Sequence, residues 1–156
     1  MTAHELAMSL RLAYLALHRR TDAVMAQAGI TADQFVVLAA LAEGMALTQS
    51  ELGERIGSDR NTVRAMLVLL EGRGLIVRTP QPLDRRARRV ALTPRGRRTF
   101  GTLWRKSDAL RRELVTGLAP QQTATLVQLL RSLTATLTET SRTTSSRRSR
   151  RSPVTS

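Results

Sequence analysis

Between Thr48 and Arg88 the chain carries polar side chains whose chemistry is hydrogen bonding and positive charge: Thr48, Gln49 and Ser50, then Arg60, Asn61, Thr62 and Arg64, then Asp84, Arg85, Arg86 and Arg88. Arginine matches O6 and N7 of guanine with two hydrogen bonds, and asparagine matches N6 and N7 of adenine; each good pair gives about 1–3 kcal/mol of discrimination. Arg60, Asn61, Thr62 and Arg64 are therefore candidates to reach base edges from one helix. Thr48, Gln49 and Ser50 open a helix, where free backbone N–H groups and short hydroxyls suit a phosphate, although the same residue types also serve as plain caps. Arg85, Arg86 and Arg88 suit the minor groove, whose negative potential attracts guanidinium groups, with Asp84 placed to hold one of them.

Charge supports that reading. Of a formal net charge of +13, residues 48–98 hold +7, which is the concentration a polyanion-binding surface requires. Other chemistries are excluded or poorly served. There is no cysteine, so disulfide scaffolds, thiolate zinc sites and thiol redox sensing drop out. His4 and His18 are too few and too scattered for a metal site, and no Gly-rich phosphate loop or nucleophile with a histidine base is present. The sequence reads as a noncatalytic protein without a cofactor. Its apolar runs fall far short of the roughly 20 residues a membrane span needs, and no signal pattern opens the chain, so a cytoplasmic location is expected.

The elements that must position these groups follow from periodicity and capping. Leu6, Leu10, Ala13 and Leu17 recur at helical spacing, with Val24 and Met25 extending the stripe, and predict a first helix over about residues 5–27. Thr31 with Gln34 caps a second helix that carries Phe35, Leu38 and Leu41. Thr48 with Glu51 caps a third, and Gly57-Ser58 makes a tight turn, with Ser58 as the expected cap of a fourth helix that buries Val63, Met66, Leu67 and Leu70. Gly74 follows as its C′ residue. From Leu75 to Leu92 the period falls to two, which predicts a hairpin with a broad tip, its pairing interrupted by Pro80 and Pro82. Thr93-Pro94 starts a fifth helix through Phe100, Leu103, Trp104, Leu110 and Leu114, and Pro120 opens a sixth through Leu126, Leu130, Leu133 and Leu137. The expected fold is mainly α with a small β-wing, a winged helix-turn-helix. Residues 1–140 form the domain; residues 141–156, rich in Arg, Ser and Thr, read as a disordered tail.

The ordered motifs resemble those of the MarR-type winged-helix transcriptional regulators: Leu47-Thr48-Gln49-Ser50-Glu51-Leu52, Asp59-Arg60-Asn61-Thr62-Val63, Leu70-Glu71-Gly72-Arg73-Gly74-Leu75, the Asp84-Arg85-Arg86 tip and Leu92-Thr93-Pro94-Arg95-Gly96. The resemblance spans roughly residues 5–140. It implies an obligate homodimer with residues 5–30 and 95–140 as dimerisation helices and 31–94 as the DNA-binding lobe, a near-palindromic double-stranded operator, Arg86 in the minor groove, and action more as a repressor than as an activator. It also implies release by a small, often aromatic molecule, for which Tyr14, His18, Phe35 and Trp104 are the candidate contacts; the same side chains also serve as ordinary core. Two departures stand out. Arg64 is followed by Ala65, and Val68-Leu69 occupies a usually polar pair, which suggests a recognition helix buried further than normal. The Arg-rich tail lies outside the family pattern and reads either as an addition to nonspecific DNA affinity through counterion release or as an unstructured leftover. The alternative is a nonspecific nucleic-acid-binding architectural protein, driven by the arginines alone.

Overall fold

In a computed structural model the described residues are 2–80, 83 and 88–149, with side chains described through residue 139. The chain divides into two compact units, residues 1–110 and 111–156.

The first unit begins with α1 (Ala3–Met25), which passes through a 3-10 turn (Ala26–Ala28) to a left-handed Gly29. Then come α2 (Ala32–Ala42), β1 (Leu47–Thr48), α3 (Gln49–Ile56), α4 (Arg60–Gly72), β2 (Ile76–Pro80), β3 (Arg88–Leu92) and α5 (Pro94–Lys106). The caps explain several boundaries. Thr31 and Gln34 form a reciprocal capping box on α2, as Thr48 and Glu51 do on α3, and Thr93 caps α5 with Pro94 at its first turn. The cap of α4 is Asp59 rather than the expected Ser58: its carboxylate accepts from Thr62 N at 2.9 Å, and a carboxylate at a helix N-terminus also meets the positive end of the dipole.

The three strands make an antiparallel sheet in the order β1-β3-β2. β1 was not visible in the sequence, since two residues are too few to show a period; it pairs Leu47 with Val90 and Thr48 with Arg89. The β2-β3 ladder includes Pro80, opposite Arg88, so this proline does not interrupt the pairing, and Pro82 lies outside the described residues.

One core ties these elements together. Leu38 and Leu41 of α2, Leu52 of α3, Val63, Leu67 and Leu70 of α4, Val90 of β3 and Leu103 of α5 are almost fully buried. Burying each such side chain stabilises by about 1.5–3 kcal/mol relative to exposure. By contrast α1 buries only Met25. Its expected stripe lies uncovered: Leu6, Leu10 and Leu17 are all exposed, together with Leu12 and Tyr14.

The single fifth helix expected from Pro94 onward is two helices. α5 ends at Lys106, Ser107 is a buried cap whose hydroxyl bonds the Trp104 carbonyl at 3.0 Å, and α6 (Asp108–Thr116) restarts beyond it, crossing the division between the units. The second unit holds the rest of α6 and α7 (Pro120–Ser149), which continues past residue 140 where composition had suggested an end to regular structure. Leu126, Val127, Leu129, Leu130 and Leu137 of α7 are exposed.

The base of the β-ribbon is fixed by a close approach. Thr93 N donates to Leu75 O at 3.1 Å and its hydroxyl to Gly74 O at 2.6 Å, so the first turn of α5 sits on the exit from α4. A Cβ at Gly96 would overlap the Leu75 carbonyl oxygen. Gly101, also in α5, has only the flexible end of Arg105 within reach, at 3.8 Å. Gly96→Ala should therefore destabilise by about 1–3 kcal/mol through overpacking, whereas Gly101→Ala should stabilise by about 0.5–1 kcal/mol by removing a helical glycine. Urea unfolding midpoints of the two variants should move in opposite directions.

Candidate nucleic-acid interface

The buried stripe of α4 decides what the helix shows to solvent. With Val63, Met66, Leu67 and Leu70 turned into the core, 3.6-residue periodicity leaves Arg60, Asn61, Thr62 and Arg64 exposed on the other side. Among the described residues the Arg60, Asn61 and Arg64 side chains make no hydrogen bond or ion pair, so their donors are free for a ligand. Thr62 differs: its hydroxyl donates to Asp59 at 2.6 Å, which makes it part of the cap. Val68 and Leu69 are 55% and 57% exposed, so the expectation that this apolar pair would sink the helix deeper is corrected. The stripe already fills the inward face, and the pair falls on the far side of the helix.

α3 is stitched to both neighbours. Thr48 N donates to the Glu51 carboxylate at 2.7 Å and Glu51 N to the Thr48 hydroxyl at 3.2 Å. Arg89 of β3 donates to Ala46 O at 2.8 Å and lies 3.8 Å from Glu51, which joins the ribbon to the helix start. Gln49 Nε2 donates to Arg60 O at 3.1 Å. Thr48 and Gln49 are thus occupied in holding the helix-turn-helix together, while Ser50 is exposed.

These elements enclose a cleft of about 660 Å³ lined by Thr48, Gln49, Ser50, Arg60, Arg78 and Arg88, among others. The cleft brings the sequence-predicted helix starts together with Arg88. It also contains Arg78, which sequence reasoning did not single out, since one arginine in a short strand carries no pattern of its own. Asp84, Arg85 and Arg86 lie outside the described residues.

The effector candidates fall into two groups. Tyr14 and His18 adjoin on α1, with ring centroids 5.5 Å apart, and His18 reaches Asp22 at 3.4 Å and Asp33 at 3.9 Å. Phe35 and Trp104 are linked through Phe100, at 5.8 Å and 5.7 Å. Tyr14 is 58% and Trp104 44% exposed, so neither is core in the single chain. Among the described residues no group of His, Asp and Glu could hold a metal ion, and no single helix is long and apolar enough to cross a membrane.

A paired helix-turn-helix with an exposed polar recognition face, flanked by a β-ribbon, defines a winged-helix DNA-binding protein. The chain belongs to the MarR family of transcriptional regulators: a MarR family model matches residues 28–87, and the transcriptional regulator HosA of Escherichia coli O111:H- is 30% identical over 104 residues, which is 67% of this chain and 77% of HosA. A mutant MarR of E. coli in complex with operator DNA superposes with a TM-score of 0.75 at 27% identity, covering 83% of this chain and 93% of that one. BpsR of Bordetella bronchiseptica, whose DNA binding is regulated by 6-hydroxynicotinic acid, gives 0.75 at 29% identity over 85% and 93%.

Two carboxylates in the interface titrate unusually. Hydrogen bonds from the Thr62 hydroxyl and then the Thr62 N–H hold Asp59 below the ordinary aspartate range, and those from Thr48 N and the Thr48 hydroxyl do the same for Glu51. A depressed folded value means that the stabilisation is fully present above the unfolded pKa, about 3.9 for Asp, and is lost as pH falls through the lower folded one. The difference in thermal midpoint between the wild type and Asp59→Ala should accordingly be constant above about pH 5 and shrink steadily below about pH 4.

Proposed function

We propose that two copies of this chain form a repressor that reads a near-palindromic operator, and that a small aromatic ligand releases it. The observation that carries the DNA part is the free, exposed set Arg60, Asn61 and Arg64 on one face of α4, beside a cleft rich in arginine. In this reading α4 enters the major groove with Arg60, Asn61 and Arg64 at base edges. Ser50 and the start of α3 meet phosphate, and the ribbon tip brings Arg85, Arg86 and Arg88 to the minor groove, with Asp84 steadying an arginine. The dimer is supported by the uncovered apolar side chains of α1 and, separately, of α7, which isolated chains would leave in water. Two recognition helices would then sit about 34–36 Å apart, one turn of duplex.

A ligand is supported by the exposed rings of Tyr14 and Trp104 and by the resemblance to BpsR. Such a molecule acts only by binding the DNA-competent and incompetent dimers with different affinity.

A gel shift with duplex from upstream of the gene itself should show a discrete complex. Arg60→Ala and Arg86→Ala should each weaken it by about tenfold or more, the loss of 1–3 kcal/mol expected for such contacts. Sequences selected from a random duplex pool should converge on a palindrome and outbind random duplex by roughly 10³ or more. Equal affinity for random duplexes would favour the architectural alternative instead. Titration calorimetry with a panel of aromatic acids should find one that binds and lowers DNA affinity; a blank panel would remove the ligand and leave the DNA reading standing.

A further inference from the structure

The cleft between α3, α4 and the ribbon holds a cation that the recognition scheme above does not use. Arg78 lies on β2 opposite Val90, and both line the cleft with Arg60 and Arg88. Its side chain is only 16% exposed, which is unusual for a group that is charged at every working pH. Glu71, on α4, is its ion-pair partner, with Arg78 Nε 3.0 Å from Glu71 Oε2. That contact falls outside hydrogen-bond geometry, and Arg78 makes no other hydrogen bond or ion pair among the described residues. A guanidinium has five N–H donors in a planar fork. One oblique carboxylate leaves that fork largely unmatched.

The rest of the cleft explains what would match it. Glu54 is the sole carboxylate among its described lining residues, against Arg60, Arg78 and Arg88, and Thr48, Gln49 and Ser50 bring the N-terminal turn of α3 to the same space. An arginine-lined recess favours an anion, and the planar guanidinium fork of Arg78 fits a phosphate in particular. On a DNA-binding face, the source of that anion is the sugar-phosphate backbone.

We propose that Arg78 is a DNA-backbone ligand, a phosphate contact in the cleft, with Glu71 as its ion-pair partner within the protein. It positions the recognition helix against the duplex and reads no base. The inference rests on the operator-binding reading above and adds a residue to it.

The test is the salt dependence of operator affinity for the full-length protein. Each phosphate neutralised by a protein cation contributes about 0.9 to the slope of log K against log salt. Arg78→Gln should lower affinity by about tenfold or more at low salt, as expected for a charge-assisted hydrogen bond, and flatten the slope by about 0.9 per half-site. Arg78→Lys, which keeps the charge, should keep most of the slope. Arg19→Gln, exposed on α1 and outside the cleft, serves as the charge-matched control and should leave the slope unchanged.

If Arg78→Gln does not fold, the paired substitution Glu71→Gln with Arg78→Gln leaves no unmatched buried charge and is measured in its place. An unchanged affinity and slope in the Arg78 variant, with operator affinity lowered in Arg60→Ala, would overturn the inference and leave Arg78 as a structural ion pair. Operator affinity lowered in neither variant would instead sink the operator reading itself, and the inference with it.

Discussion

The burial of one helical face governs everything else in the first unit. Val63, Met66, Leu67 and Leu70 can all reach the core only if α4 takes a single rotation about its axis, and that rotation throws Arg60, Asn61 and Arg64 outward. Recognition chemistry is thus a by-product of packing geometry. The polar residues need no partner in the protein, and among the described residues they have none. Position along the axis is set separately, by the Asp59 cap at one end and by the Gln49 amide on the Arg60 carbonyl. Rotation comes from apolar contact, axial placement from hydrogen bonds, and the two are independent.

The ribbon depends on a different kind of contact. Its base is pinned where the first turn of α5 lies against Gly74 and Leu75, an approach that tolerates only glycine at position 96. Arg89 then ties the inner strand to the loop before α3. The helix-turn-helix and the wing therefore share a frame, and Arg88 and Arg78 are presented to the same cleft as Ser50 and Arg60.

Much of this was legible beforehand because it is local. Capping boxes at Thr31 and Thr48, the proline start at Pro94 and the four-residue stripe of α4 are patterns within one or two turns, and each element formed where its pattern lay. What escaped notice depends on residues far apart in the chain. β1 exists only because Val90 and Arg89 supply its partner, and Arg78 acquires meaning only beside Glu71 and the start of α3. The preference for Asp59 over Ser58 turned on one residue of register, which composition does not resolve. The uncovered stripe of α1 was correctly periodic, yet its exposure in a single chain is a tertiary fact.

Arg73 closes α4 by reaching 44 and 45 residues back along the chain, where its guanidinium donates to the carbonyls of Gly29 and, at 2.7 Å, Ala28. The turn between α1 and α2 therefore holds the far end of the recognition helix as a pivot holds a lever. Over the 13 residues of α4, roughly 20 Å, a tilt of about 5° at that pivot sweeps the Arg60 end through about 1.7 Å. In the proposed reading, hydrogen bonds from Arg60 to a base edge would not survive such a sweep. Because Val63 and Leu67 are fully buried along the lever, a disturbance at the end of α1 reaches that tip only by shifting the core packed around them.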